Sequence, residues 1–326
     1  MLRILAYHRV AELRDTPATD SRSVSATPEG FARQMKHVAW FYRVVSMHEV
    51  LEAVEKRHLL PKRAVLITFD DAYADFVDIA WPILKQFRLP ATMFVPTAYP
   101  NHPERAFWSD ALYQAFAATA RTEINVPGLG RLPLSPSDQK RKSLRTVQDH
   151  VITIAHWEAV ELVDSVCAEL GLNRPRGESV LNWNQLRQLA REGLTLGSHT
   201  RTHAIMTKVT PKQMREEVRG SQEDLQKETA MCLPIFCYPN GNHNDAVVCI
   251  LRQQGIRLAF TTLCGPNQWG SVDPLRLHRT VIMPRTTPAI FCLRLSRWGT
   301  RFDAWRERKQ RELLTCGLPE HQAFHA

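Results

Sequence analysis

Two adjacent carboxylates and a spaced pair of histidines are the residues of this sequence best suited to chemistry. Asp70 and Asp71 follow one short apolar run, and His199 and His203 follow another. One carboxylate of such a pair can bind a cation while its neighbour acts as a base, because successive strand side chains point in opposite directions. Two histidines four residues apart share a helix face and can bind one metal ion. The alternatives are that the aspartates cap a helix and that the histidines are ordinary surface residues.

A third candidate is the turn that follows the apolar run 235–238. Pro239 has a fixed φ and Gly241 tolerates a positive φ, so a strand must bend sharply here. We expect the bend to present the backbone N–H of Asn240 as a donor to an oxyanion, although an ordinary type I or II turn explains the same residues. Together, two histidines, two carboxylates and an amide donor are typical of metal-assisted hydrolysis of an acyl group.

Alternating strand and helix patterns must position these groups. Apolar runs predict strands at residues 2–7, 42–46, 64–69, 91–95, 194–198, 235–238 and 258–262. Helical spacing predicts helices at residues 47–56, 75–87, 183–191, 211–228 and 245–254. Repeated βα units favour a parallel sheet, either a barrel or a doubly wound sheet. All three candidates then lie at the C-terminal ends of strands, where such folds assemble active sites.

The segments TFDD (68–71), SHTRTH (198–203) and FCYPNG (236–241), in this order, resemble the motifs of the polysaccharide deacetylase family. The resemblance implies an α/β fold, a distorted (β/α)7-type, TIM-like barrel. It also implies a divalent ion, with zinc expected, held by Asp71, His199 and His203. Asp70 would be the catalytic base in the removal of an N-acetyl group as acetate. We assign Tyr238, in the third motif, to substrate binding.

Two family features differ in this sequence. Many members carry an arginine in the third motif that steadies the base, and the matching position is Cys237. Arg279 or Arg285 could substitute for it. The general acid of the family usually comes from a last motif, which here is imperfect around His278. A subgroup opens with YHxV on its first strand, as this sequence does at residues 7–10, so we rank His8 above His278 as the acid.

The predicted barrel spans 1–99 and 181–290, interrupted by a mostly helical insertion at 100–180. A basic amphipathic tail follows at 291–326, and its arginines and aromatic face suit an interfacial membrane helix over 291–312. Docking of that face on the barrel is the interpretation that we favour over membrane contact.

The 326 residues are 44% apolar and carry a formal net charge of +9. Apolar runs stay short of the roughly 18 residues that a membrane span needs. The short apolar run near Met1 is no signal-peptide core, so we expect a cytoplasmic location, peripheral on the inner face of the membrane if the tail binds there. The surplus charge lies outside any recognised nucleic-acid motif, so no nucleic-acid partner is expected.

The sequence thus predicts a metal-dependent hydrolase that removes N-acetyl groups from an amino-sugar-containing glycan or glycan precursor, in exopolysaccharide biosynthesis. Two alternatives remain open at this point. The same site could remove O-acetyl groups, or the chain could be a catalytically degenerate carbohydrate-binding barrel.

Overall fold

The structure is a computed structural model, and it describes residues 1–14, 20–172, 180–296 and Gly299. The strands are β1 (Leu2–Tyr7), β2 (Arg9–Val10), β3 (Val24–Ala26), β4 (Arg43–Val44), β5 (Ala64–Asp70), β6 (Thr92–Val95), β7 (Glu123–Val126), β8 (Gly130–Pro133), β9 (Thr195–Ser198), β10 (Ile235–Cys237), β11 (Leu258–Phe260) and β12 (Thr280–Val281). The helices are α1 (Pro28–Phe41), α2 (Met47–Glu55), α3 (Trp81–Gln86), α4 (Trp108–Ala118), α5 (Ser137–Val151), α6 (His156–Glu169), α7 (Trp183–Arg191), α8 (Pro211–Thr229), α9 (Asp245–Gln253) and α10 (Pro288–Leu295). These residues form two units, the first from 1–13, 22–101, 180–296 and Gly299, and the second from 14, 20–21 and 102–172.

The first unit is built on a curled parallel sheet. Its strands follow the order β11-β10-β9-β6-β5-β1-β12, and β4 pairs with β5 beside this path. The segment that leads into β12 bonds to both ends of the order: Leu277 forms a parallel bridge with Phe260 of β11, and Thr280 pairs with Leu5 of β1. Helices connect most successive strands. The predicted distorted (β/α) barrel is therefore confirmed.

Local sequence explains the elements that carry the candidate residues. β5 is buried along its whole length, as the continuous apolar run before Asp70 predicts. Helix α2 begins at a capping box made by Ser46 and Glu49, and α8 begins at a second one made by Thr210 and Gln213. The helix predicted at 75–87 is divided into one π-helical turn, Phe76–Ala80, and the short helix α3.

The second unit has its own apolar core, and its described part at 102–172 lies within the predicted insertion, whereas residues 14 and 20–21 come from near the start of the chain. Helices α4, α5 and α6 pack around buried residues that include Leu112, Val147 and Val166. The antiparallel hairpin β7–β8 adds a sheet element that the helical pattern did not predict.

The predicted tail is described only at its start. Phe291 and Leu295 of α10 are buried in the core of the first unit. The other members of the predicted aromatic face, Trp298, Phe302 and Trp305, lie outside the described residues. The membrane contact through 291–312 therefore stays a prediction. In the part of the chain that the structure describes, every helix is too short or too polar to cross a membrane.

Candidate active site

Asp70, the last residue of β5, is held by a buried arginine. Arg279 donates from Nη1 to Asp70 Oδ1 at 2.8 Å and from Nη2 to Oδ2 at 2.7 Å, which is the bidentate geometry of the strongest ion pairs. The Arg279 side chain is fully buried, and its Nε donates to the carbonyl of Thr261 at 2.8 Å. Arg279 therefore steadies the base, a role for which the third motif offers only Cys237. Of the two candidate arginines, Arg279 pairs with Asp70 and Arg285 does not.

The electrostatics of this pair favour an ionised Asp70. Burial is the largest single influence and raises the pKa of the carboxyl, but Arg279, with smaller contributions from His199 and His8, brings the net pKa below the ordinary value. The Cys237 thiol lies 3.6 Å from Asp70 Oδ2, and burial raises the pKa of that thiol. A thiol that stays protonated beside a carboxylate adds no repulsive charge. The site thus holds a carboxylate that is buried and remains available as a base.

Asp71 leaves the strand in a conformation that the alternation rule did not predict. Its φ is 72° and that of Ala72 is 55°, so two successive residues without glycine's freedom adopt the left-handed region. Such residues cost about 1–3 kcal/mol each and are retained where the surroundings fix them. The turn places Asp71 on the same side of the site as Asp70. A carboxylate oxygen of each aspartate lies within 4.8 Å of a ring nitrogen of His199. The alternative that the pair caps a helix finds no support, since the next helical turn, Phe76–Ala80, begins after Asp75, and Asp70 pairs with Arg279 instead.

His199 and His203 converge, but the helix predicted to bring them together is absent from this segment. They lie on an irregular loop after β9. Thr200 has a φ of 65° and His203 a φ of 58°, and these two left-handed residues fold the loop back so that the imidazole centroids lie 5.0 Å apart. The prediction of a shared helix face was therefore wrong, although the convergence that it implied is present.

Asp71, His199 and His203 form a donor set that fits a divalent metal ion. Asp71 Oδ1 lies 3.4 Å from His199 Nε2 and 3.2 Å from His203 Nε2, and it is a buried oxygen without a hydrogen bond among the described residues. His199 Nδ1 lies 2.8 Å from the carbonyl oxygen of Cys237 and donates to it, which leaves Nε2 as the free lone pair. One carboxylate and two imidazoles are a common ligand set of hydrolytic zinc sites.

A second cluster, formed by Asp70, His199 and Cys237, is less suited to a cation. Its carboxylate is already paired with Arg279, whose positive charge opposes a metal ion, and the Nδ1 atom of its histidine is already bonded to the Cys237 carbonyl. We therefore place the candidate metal centre at Asp71, His199 and His203.

His8 lies beside this centre. It follows β1 directly, its backbone N–H donates to Ser25 Oγ at 2.9 Å, and its Nε2 lies 3.9 Å from Asp70 Oδ2. Its side chain is 34% exposed, so it can exchange protons with solvent and with a substrate. Among the described residues, no hydrogen bond or ion pair joins His278 to Asp70 or Asp71, and burial lowers the pKa of His278. The placement favours His8, and its role as general acid stays a prediction.

The third motif lies beside the site, where the burial of Tyr238 speaks against its predicted role in substrate binding and the oxyanion role of Asn240 stays a prediction. Tyr238 is fully buried, its hydroxyl donates to the Leu275 carbonyl at 2.8 Å, and its backbone N–H donates to the Phe260 carbonyl at 3.0 Å. Its side chain therefore offers no surface to a sugar. Asn240 has a φ of 61°, which confirms the sharp bend, and its side chain is exposed. Gly241 has a φ of 75°, and a Cβ there would overlap Thr262.

Comparison with known proteins identifies the family. The sequence profile of the polysaccharide deacetylase family matches residues 58–259, more than half of the chain. The chain therefore belongs to the polysaccharide deacetylase family, which consists of carbohydrate esterases that hydrolyse N-acetyl amide bonds.

Individual relatives agree with this assignment. YxkH of Bacillus subtilis, whose name places it in the same family, is 20% identical over 296 residues, covering 89% of this chain and 74% of YxkH. The poly-beta-1,6-N-acetyl-D-glucosamine N-deacetylase of Staphylococcus epidermidis is 33% identical over 107 residues, covering 30% of this chain and 36% of that protein. Among solved structures, the Streptococcus pyogenes deacetylase PplD, in complex with acetate, superimposes with a TM-score of 0.62 at 20% identity over 90% of this chain and 98% of PplD. This structural match supports the fold.

Sequence reasoning missed two features of the site. The first is the Cys237 carbonyl that orients His199, and no side-chain pattern indicates it. The second is Glu217 of α8, which contacts the loop that carries the histidines. A signal for Glu217 existed, because it falls on the buried face of α8 with Met214, Val218 and Ser221. A charged residue on such a face needs a polar partner.

Proposed function

We propose that this protein is a metal-dependent N-deacetylase that acts on an amino-sugar-containing glycan or glycan precursor and releases acetate. The observation that carries the proposal is the convergence of Asp71, His199 and His203 beside an ionised Asp70 that is paired with Arg279. Membership of the polysaccharide deacetylase family supports the reaction class. The names of relatives that deacetylate poly-N-acetylglucosamine support an exopolysaccharide substrate.

The residues of the site divide the proton transfers between them. A divalent ion held by Asp71, His199 and His203 would supply Lewis-acid polarisation of the acyl group and of water. Asp70 accepts a proton from the attacking water at a carboxylate oxygen, and Arg279 keeps that carboxylate ionised until it does so. His8 Nε2 donates a proton to the nitrogen of the leaving amine. Each acid–base group contributes about 10²–10⁴-fold to such reactions.

The geometry of the site bears differently on the two alternative functions, a carbohydrate-binding barrel and O-deacetylation. A catalytically degenerate binding barrel is suggested by two features, the uncertain general acid and the missing arginine of the third motif. For the second feature, Arg279 supplies a guanidinium at Asp70 from the segment that leads into β12. That reason for the alternative no longer holds. O-deacetylation uses the same groups, because an ester places its carbonyl where an amide does, and the substrate panel below separates the two reactions.

The test is an acetate-release assay of the full chain with zinc restored after chelation. The panel contains poly-N-acetylglucosamine oligomers, chitooligosaccharides and an O-acetylated xylan. We expect acetate from an N-acetylated member, loss of activity with chelator and loss of activity in His199→Ala. His48→Ala is the matched control, because His48 is an exposed histidine on α2.

Three results would count against the proposal. Activity retained in the metal-stripped chain would exclude a metal-dependent reaction. Activity retained in His199→Ala would remove the ligand assignment. Acetate released from the xylan alone would establish O-deacetylation instead. The predicted cytoplasmic location is independent of these assays and stays a prediction.

A further inference from the structure

The loop that carries the two candidate histidine ligands has an unusual backbone. Thr200 and His203 both have positive φ values, 65° and 58°, although neither is glycine. Threonine is β-branched, so this conformation is especially unfavourable at residue 200. Contacts from outside the loop must therefore hold residues 199–203 in the shape that brings His199 Nε2 and His203 Nε2 to Asp71.

One side of the loop is held by the chain that continues β6. The backbone N–H of His199 donates to the Val95 carbonyl at 3.0 Å. Beyond the strand, the N–H of Thr97 donates to the Thr200 carbonyl at 3.1 Å, and the N–H of Ala98 donates to the Arg201 carbonyl at 2.9 Å. The last two bonds satisfy carbonyls of the loop, and the N–H groups of Arg201 and Thr202 bond to a different element.

On the other side, the Glu217 carboxylate of α8 holds the backbone of the loop. Glu217 Oε2 accepts the backbone N–H of Arg201 at 2.8 Å and that of Thr202 at 2.9 Å, and Glu217 Oε1 accepts the Thr202 hydroxyl at 2.8 Å. The residue is only 8% exposed. A carboxylate accepts hydrogen bonds and donates none, so it suits three donors that point at one place. Charge-assisted bonds of this kind are about twice as strong as neutral ones.

Helix α8 approaches the loop so closely that Glu217 has little freedom. The hydroxyl of Ser221 lies 2.5 Å from that of Ser198, the residue before His199. A Cβ at Gly220 would overlap the Arg201 side chain. Asp224, one turn further along the helix, accepts from Arg201 Nε at 2.9 Å and from the Thr97 hydroxyl at 2.6 Å. Of these α8 residues, Glu217 accepts the backbone N–H groups of Arg201 and Thr202, the two residues immediately before His203.

We propose that Glu217 is the positioning residue of the metal centre. It fixes the backbone of Arg201 and Thr202, and through that backbone it sets the position of His203 relative to His199 and Asp71. The inference rests on the metal centre of the proposed function and adds the group that keeps the centre assembled before an ion binds. Residues that orient metal ligands in this way typically change affinity about 10–100-fold when they are replaced.

The experiment compares Glu217→Gln with Glu223→Gln in the full chain, using zinc alone as the probe. Both variants make the same chemical change on the same helix. The Glu223 side chain is 68% exposed, and its Oε1 lies 3.6 Å from Arg219 Nε on the same helix. Glu223 is therefore the matched control. The dissociation constant of zinc is measured by competition with a chromogenic chelator, and the melting temperature is recorded with and without zinc. Cobalt substitution reports the ligand geometry through its visible absorption.

We expect Glu217→Gln to weaken zinc binding by about 10–100-fold and to reduce the rise in melting temperature that zinc produces. Its cobalt spectrum should differ from that of the unaltered chain, whereas Glu223→Gln should match the unaltered chain in all three measurements. A zinc dissociation constant within twofold of the control overturns the inference. A lower melting temperature without zinc, combined with unchanged zinc affinity, also overturns it, because the role would then be purely structural.

Thr202→Val provides a second variant if Glu217→Gln does not fold. It removes the hydroxyl bond to Glu217 Oε1 and leaves both backbone bonds, so it should weaken zinc binding several-fold. Zinc affinity unchanged in Thr202→Val, with Glu217→Gln unfolded, counts against the inference. The readout is independent of the reaction. A chain that binds one zinc but releases no acetate refutes the proposed function, while the comparison of Glu217 with Glu223 still stands.

Discussion

Replacing Arg279 by methionine leaves the Asp70 carboxylate buried without its bidentate partner. The Arg279 side chain is 0% and that of Asp70 3% exposed, so water cannot take the place of the guanidinium. Breaking a buried ion pair by removing one partner costs about 3–5 kcal/mol. Coulomb's law gives a similar figure, about 4 kcal/mol for unit charges roughly 4 Å apart at an effective dielectric constant near 20. We therefore expect the free energy of unfolding to fall by about 4 kcal/mol near neutral pH.

The loss of unfolding free energy in Arg279→Met should depend on pH, and the protonation of Asp70 determines the direction of that dependence. In the native protein the net pKa of Asp70 is lowered, so its ionised form stabilises the fold above the unfolded pKa and loses that contribution as the pH falls. Without Arg279, burial dominates and raises the native pKa above the unfolded one. The native state then binds more protons than the unfolded state, and stability falls as the pH rises. The difference between Arg279→Met and the unaltered chain should therefore grow between about pH 5 and pH 8.

Urea unfolding across this pH range measures the effect, and acetate release measures its functional consequence. Because a protonated Asp70 cannot act as a base, the acidic limb of kcat/KM should move to higher pH in the variant. Arg285→Met is the control, since Arg285 is an exposed arginine six residues away. In a double-mutant cycle, adding Asp70→Asn should recover much of the stability, with a coupling energy of about 3 kcal/mol. A coupling energy near zero, or a loss equal to that of Arg285→Met, would refute the reasoning.

Two further substitutions test other parts of the site. His8→Gln should lower kcat by about 10²–10⁴-fold while the zinc stoichiometry is unchanged, as steady-state kinetics and elemental analysis would record, because the ring is placed to donate a proton rather than to bind metal. Loss of zinc from this variant would contradict that role. Gly241→Ala should destabilise the chain by about 2 kcal/mol more than Gly255→Ala in urea unfolding, because both residues have a φ of 75–79° but a Cβ overlaps Thr262 at Gly241 and meets no atom within 4 Å at Gly255. Equal losses would mean that the overlap with Thr262 is relieved easily.

The sequence predicts the sheet well where one pattern dominates. The run before Asp70 predicts a strand at 64–69, and β5 spans Ala64–Asp70, because a strand buried on both faces has no competing periodicity. Placing chemistry at strand ends then brings Asp70, Asp71, His199 and His203 together without any knowledge of loops. Loop conformation is where this reasoning fails. Convergence of the histidines depends on left-handed backbone at Thr200, which nothing in the local sequence favours.

The arginine that pairs with Asp70 could be predicted only in part, less well than strand β5 and better than the loop conformation. The sequence offers Arg279 and Arg285, and it gives no means of choosing because both follow the last predicted strand. The choice depends on strand register: Thr280 pairs with Leu5 of β1, which places Arg279 alongside Thr68 and Asp70 of the neighbouring β5. Register is a long-range property, set by which strands become neighbours, and a local pattern does not contain it.

Cys237 stands where the resemblance leads us to expect an arginine, and Arg279, from the segment that leads into β12, reaches Asp70 instead. This affects how relatives of this chain should be surveyed. The family match ends at residue 259, so Arg279 falls outside it, and His8 falls outside its start at residue 58. A survey that compares motif residues position by position in an alignment would find Cys237 in place of arginine and would class this chain as a defective enzyme. A survey that asks whether any guanidinium reaches the base would score it as intact. Homologues without the third-motif arginine deserve the second question before they are grouped with inactive proteins.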